Sequence, residues 1–283
     1  MLALQREEQT ITFDRTDYVL TSEDYGAIEA THSTAKGVEQ VGERIVSTAL
    51  DTRDVEIVGF IRASSNIEMR NKKSALYQLC DPRYTFTILV NHNIALEVRA
   101  TETVRFTPSK LTNNNRVASF AISAVALDPL FRDAVAKEQK TADWISNFSF
   151  PLVIPQEGFT FAEREEDITA FINAGDVETG LMIYFEATAG VGNPVLTNVE
   201  TGEYIKLNHT FVTGETVVIN TNYGQESVTG YVGDEITNLI NSFDLGSTFL
   251  QAPPGESRLH FSAEFGAQSM TVTIRYYQRY LGV

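Results

Sequence analysis

Residues 259–276 read LHFSAEFGAQSMTVTIRY, and the alternation in that stretch decides the fold. Leu259, Phe261, Ala263 and Phe265 alternate with His260, Ser262 and Glu264, and Met270, Val272, Ile274 and Tyr276 alternate with Thr271, Thr273 and Arg275. A period of two places all apolar side chains on one face of an extended strand and all polar ones on the other. The dry faces need a partner, so antiparallel sheets packed face to face are expected. The same signature occurs upstream. Leu96, Val98, Ala100, Val104 and Phe106 share one parity against Glu97, Arg99, Thr101, Thr103 and Arg105, and Val55 to Ala63 and Phe120, Ile122 and Ala124 repeat it.

Turn chemistry punctuates the second half at short intervals, at Gly190 to Pro194, Thr201-Gly202, Thr213-Gly214, Asn222 to Gly224, Gly230, Gly233 and Pro253 to Gly255. That spacing suits a β-sandwich rather than alternating strands and helices. A helical stripe is read only in Asp234 to Phe243, where Ile236, Leu239, Ile240 and Phe243 are spaced for one face. The first half has two helices with end signals. Ser65-Asn66-Ile67-Glu68 is a capping box and Asp81-Pro82 a stop, with Leu76, Leu79 and Cys80 facing the core. Asp128-Pro129 opens a second helix running through Phe131 and Val135 towards Trp144. Asn147 to Phe161, with Pro151, Pro155 and Gly158, is extended, and a domain boundary falls near Trp144 to Phe150.

A chain of 283 residues accommodates two medium domains. Residues 1–144 hold 17 Lys+Arg against 20 Asp+Glu, net −3, whereas residues 145–283 hold 5 against 17, net −12. A total of −15 disfavours nucleic-acid binding, which depends on cations displacing the counterions of the phosphates. The single cysteine, Cys80, excludes an internal disulfide, and no apolar run approaches the ~18 residues of a membrane span. Arg6, Glu7 and Glu8 stand where a secretory signal would be apolar, so synthesis in the cytosol is expected.

No residue is assigned a catalytic, cofactor, metal or nucleic-acid role. There is no G-x-S-x-G, and Cys80 reads as a small buried residue at a helix end. His32, His92, His209 and His260 stand apart from one another, with His260 on the polar parity of its strand. The acidic run Glu163, Glu165, Glu166 and Asp167 lacks the spacing of a calcium loop and reads as solvated. Gly190-Val191-Gly192 is followed by Asn193-Pro194 and not by a helix, so it is a turn and not a nucleotide loop. With 37 acidic residues, paired carboxylates of the kind that cleave glycosides arise by chance and carry no weight. Plentiful strand and turn formers without a catalytic signature favour binding or assembly.

Several stretches together resemble the distal tail protein (Dit) family of long-tailed phages of Gram-positive bacteria. In the first half these are DTRDVEIVGFIR at 51–62, LYQLCDP at 76–82, the alternating strand from Ala95 to Phe106, and DPLF at 128–131. NFSFPLVIPQEGF follows in the 147–161 segment, then NPVLTN at 193–198, TGEYIKL at 201–207 and GETVVIN at 214–220. LGSTFLQAPPG at 245–255 resembles the family's approach to its last hairpin, and the chain closes on RYLGV at 279–283.

The resemblance implies a mainly β protein: a ring-forming domain over residues 1–148 with one or two helices, then a galectin-like β-sandwich over 149–283, whose last residues, from about Tyr276, pack back on the first domain. It further implies a non-enzymatic virion component of the tail tip, made in the host cytoplasm, with six copies closing around the tail channel. Such a hub joins the tail tube protein to the tail-associated fibre or lysin protein, with the tape measure and receptor-binding proteins as further partners. DNA passes through without being bound, and no membrane or cofactor is involved. Which residues form the ring contact is not fixed by the sequence. The first domain with its Ser65 to Cys80 helix is the expected region, because its charge is balanced and identical surfaces must meet there. The alternative is a carbohydrate-binding adhesion module, with Tyr184, Tyr204, Tyr223 and Tyr231 available for stacking. Sugar-binding galectins, however, use a His, Asn and Arg cluster and a Trp. Here the only Trp is Trp144, outside the sandwich, and His209 after Asn208 lacks the Arg. A glycan hydrolase with unseen carboxylates is the third reading.

Overall fold

The computed structural model describes residues 1–111, 113–140 and 168–283, together with the backbone of the short strands Trp144–Ser146 and Ala162–Arg164. The extended 147–161 segment, the boundary placed there and the side chains of the acidic run lie outside the described residues. The chain divides into two compact units, one comprising Met1–Ala134 with Tyr280–Val283, the other Val135–Arg279.

The first unit is built on an antiparallel sheet. Its strands run in the order Gln9–Phe13, Leu2–Arg6, Thr85–Val90, Ile94–Ala100, Val117–Ala126, Arg53–Arg62 and Tyr18–Asp24. The longest ladder pairs Arg53–Arg62 with Val117–Ala126 over ten residues. Along it Val55, Ile57 and Ile61 face the same way as Phe120, Ile122 and Ala124, and all are buried. Position 59 is a glycine because a Cβ there would sit 2.5 Å from the Val19 carbonyl oxygen and 2.9 Å from the Phe120 ring. The expected strand through Phe106 ends at Ala100 and resumes at Arg105–Phe106, although Val104 keeps its buried position between them.

The helix Asn66–Leu79 covers the inner face with Met69, Leu76 and Leu79, and Cys80 is buried behind it. Ser65 caps it, its Oγ accepting from the Glu68 amide at 3.2 Å. The reciprocal arm of the box is displaced by one residue, since the Glu68 carboxylate accepts from the amide and hydroxyl of Ser64. The second helix is not formed. Asp128 accepts from the Leu130 amide at 3.3 Å in an Asx turn, and Phe131–Asp133 continues as a strand against Ile94 and Ala95. Asp-Pro starts a turn as readily as a helix. Phe131 is fully buried while Val135, one helical turn on, is 77 % exposed, so the expected stripe has no face to bury.

The second unit is a sandwich. One sheet orders Lys137–Lys140, Met270–Tyr276, Thr179–Ala187, Glu215–Asn220, Ser227–Val232 and Glu235–Asn238; the other orders Ile168–Asn173, Gly255–Ser262, Val195–Asn198 and Tyr204–Lys206. Ile183, Phe185, Ile219, Val272 and Ile274 of the first meet Phe171, Leu196, Leu259 and Phe261 of the second in one core. The two strands of residues 255–276 therefore do not pair as a terminal hairpin but enter opposite sheets. The crossing begins where Phe265 leaves the strand parity and lies over Gly192, where a Cβ would collide with its ring at 2.1 Å. The stripe from Asp234 to Phe243 is likewise not a helix. Gly233, at φ +57°, turns the chain in a two-residue loop, Glu235–Asn238 pairs back on Thr229–Val232, and a single 3-10 turn follows at Ile240–Ser242.

The two cores share no residue. Truncating Phe261, fully buried between the sheets, should cost about 3–5 kcal/mol in the second unit. Calorimetry of the Phe261→Ala protein should show that unit's transition lowered and the first unit's unchanged.

Candidate functional site

The chain between Tyr18–Asp24 and Arg53–Arg62 leaves the main sheet as a separate arm. Ala30–Ala35 (ATHSTA) pairs with Arg44–Leu50 (RIVSTAL), from Ala30 opposite Leu50 to Ala35 opposite Arg44, with a bulge between Ser33 and Thr34. Thr31, Thr34, Ile45, Val46 and Thr48 are β-branched and favour the extended backbone. The Thr31 hydroxyl donates to Asp51 Oδ2 at 2.7 Å, Thr34 donates to Glu43 Oε2 at 2.5 Å, and His32 Nδ1 lies 2.9 Å from Thr48 Oγ1. At the root the Asp51 amide donates to the Glu29 carbonyl at 2.8 Å.

These bonds join the two strands to each other and to no core. Every residue of the arm's strands is exposed except Ala35, which is half-buried. Val38 and Val41 at the tip are 98 % and 99 % exposed, and Ile45 and Val46 about 60 %. A two-stranded ribbon with no third strand or covering helix is marginal in water, and contiguous exposed apolar residues mark an interaction surface. Sequence reasoning passed over this segment because its strands lack period-two alternation. The informative signal was a run of β-formers without a dry parity, with two valines in the turn.

The outer face of the same sheet offers a second surface. Val19, Val58, Phe60, Ala121 and Val125 are half-buried there and belong to neither core cluster. On the Asn66–Leu79 helix, Ile67 and Tyr77 are 75 % and 45 % exposed.

The residues weighed for chemistry are dispersed. Cys80 is 1 % exposed, and burial pushes its thiol up to about 12. His32 lies on the arm, and His92 occupies the turn between Thr85–Val90 and Ile94–Ala100 at φ +67°, its Nε2 3.1 Å from Met1 Sδ. His209 Nε2 lies 2.7 Å from the Glu215 carboxylate, which also accepts from the Val212 amide at 2.9 Å, and the His209 ring stands edge-on to Phe211. His260 sits in the middle of a sheet between Ile168 and Thr197. Among the described residues no group of three or more His, Cys, Asp or Glu is disposed to hold a metal ion, and no helix is long and apolar enough to cross a membrane.

The four tyrosines do not converge. Tyr184 lies beneath the Arg275 guanidinium at 4.9 Å, with Arg275 also held by Glu138 at 2.8 Å. Tyr231 is on the same sheet beyond the intervening strand, Tyr204 packs at Gly246, and Tyr223 stands 94 % exposed on a turn.

Two outcomes follow. Limited trypsin treatment of the protein in monomeric form should cut at Lys36 and Arg44 before any other site in the first unit, since the arm opens without disturbing a core. Cys80 should resist iodoacetamide at pH 8 in the native protein and react at once in denaturant, because the nucleophile is the thiolate.

Residues 174–280 match the family model of the siphovirus-type tail component, C-terminal domain. No curated protein matches the sequence at a significant level. Among solved structures, the SPP1 Dit protein, described as a paradigm of the hub adsorption apparatus in phages infecting Gram-positive bacteria, superposes with a TM-score of 0.67 at 11 % identity, covering 99 % of each chain. Chains of the phage P2 baseplate in its activated conformation superpose at 10 % identity. The calcium form has a TM-score of 0.52 over 98 % of each chain, and the strontium form 0.51 over 98 % of this chain and 97 % of that one. Most of the second unit thus matches the C-terminal domain model of the siphovirus-type tail component, and the whole chain takes the fold seen in the SPP1 Dit protein.

Proposed function

We propose that this protein is a non-enzymatic hub of the phage tail tip, six copies of which close into a ring through their first units. The observation that carries this reading is the arm of residues 30–50, a ribbon with exposed Val38, Val41, Ile45 and Val46 that has no partner among the described residues. In a ring it would lie across the neighbour, on the outer sheet face around Val58 and Phe60. An arm received by a different surface makes a heterologous contact, and such contacts close into rings or run on as filaments. The tail component domain and the fold shared with the SPP1 hub protein favour closure.

The ring would join the tail tube on one side to the fibre or lysin protein on the other, within the virion, with tape measure and receptor-binding proteins nearby. A chain of net charge −15 suits a passage for DNA, because unpaired cations along the channel would retain phosphates.

Light scattering over a range of concentration should give a discrete mass near six times 31.4 kDa, and negative-stain images should show rings. The I45D/V46D variant should remain monomeric with unchanged thermal stability. A wild-type protein that stays monomeric both alone and with its tail tube partner, or a variant that assembles normally, would refute the reading.

A further inference from the structure

The Asn66–Leu79 helix carries a second stripe besides its core-facing one. Asn66, Arg70, Lys73, Ser74 and Tyr77 recur at helical spacing and line one wall of a groove of about 500 Å³, whose other wall is the loop at Asn113 to Asn115. Phe106 lies against it, with the Lys73 ammonium 4.8 Å from its ring centroid and Tyr77 edge-on at 5.4 Å. The position is reproducible because the core-facing residues of the same helix, Met69, Leu76 and Leu79, fix its rotation.

The charges in this groove are unmatched. Among the described residues the Arg70 side chain has no ion pair or hydrogen bond, and neither have those of Asn66, Ser74 and Asn115. Lys73 donates to the neutral Asn113 Oδ1 at 2.6 Å and meets no carboxylate, and partial burial lowers its pKa. The helix's own Glu68 is turned away, bound to Lys72 at 2.6 Å and to Ser64. A protein carrying 37 acidic residues against 22 basic ones has therefore left two cations and several amide and hydroxyl groups open in one groove without an acid.

We infer that this groove binds an acidic peptide segment of a partner protein, with Arg70 and Lys73 pairing its carboxylates and the asparagine amides its backbone. From Asn66 to Tyr77 the helix advances about 16 Å, the length of about five residues of extended chain. Asparagine side chains both donate and accept, as a peptide backbone does, whereas a phosphodiester offers acceptors alone. The inference is independent of ring assembly, because the groove lies within a single copy.

The test is titration of a fluorescent hexaglutamate peptide with the full-length protein at low ionic strength, followed by anisotropy. Saturable binding is expected despite the repulsion of a −15 protein, with at least a tenfold loss in R70E/K73E and in Ser74→Glu, which leaves both cations in place. The R83E/R99E control, carrying the same added charge elsewhere on the unit, should stay within threefold of wild type. Three results would overturn the inference: no saturable binding by the wild type, an equal loss in the control, or displacement of the peptide by a single-stranded oligonucleotide of equal charge at lower concentration than by unlabelled peptide.

Discussion

The ten-residue ladder between Arg53–Arg62 and Val117–Ala126 holds the first unit in register. A slip of one residue would turn Val55, Ile57 and Ile61 to the wet face and bring Asp54, Glu56 and Arg62 into the core, so burial fixes the pairing without help from a turn. Tyr18–Asp24 adds to its flank, and the arm is spliced between that flank and the ladder itself. An element with no core of its own thus begins on the strand beside the ladder and ends on the ladder itself. Its direction is set at the root while its tip remains open to a partner.

Where one face of a strand was wet and the other dry, the sequence was directly legible. The parities of Val55 to Ile61 and Leu96 to Ala100 correspond to buried positions residue by residue, and the apolar parity of Met270 to Tyr276 is buried throughout, although Thr273 of the polar parity is buried with it. The Ser65 cap was legible for the same reason: its signal is local. Asp128-Pro129 and the Asp234 to Phe243 stripe misled because both are short. Over so few residues a turn signal and a helix start coincide, and tertiary pairing of Phe131–Asp133 and Glu235–Asn238 with neighbouring strands prevails over local preference. That the strands of 255–276 enter opposite sheets was not legible at all, because alternation reports which face is dry and not which sheet holds it.

The candidate surfaces were less legible than the fold, and for a physical reason. Catalytic and metal sites leave signatures because chemistry demands particular residues at particular separations. Assembly demands only that apolar or charged groups be left without partners, which appears when the partners within the chain have been counted. Val38 and Val41 are unremarkable in a list of residues and conspicuous at 98 % and 99 % exposure. Arg70 is one of 22 cations until Glu68 is seen to be engaged on the other side of the helix.

Residues 280–283 belong to the first unit although the second unit intervenes in the chain. Arg53, 4 % exposed over the Phe131 ring, donates to the Leu281 carbonyl at 2.5 Å, and the Tyr280 hydroxyl donates to Asp133 at 3.0 Å. On the ribosome these groups wait for one another: Arg53 emerges early and its acceptor more than two hundred residues later. The sandwich can therefore close before the unit that precedes it is complete. The first unit acquires these polar contacts only once translation has passed the sandwich, which delays the finished surface of that unit.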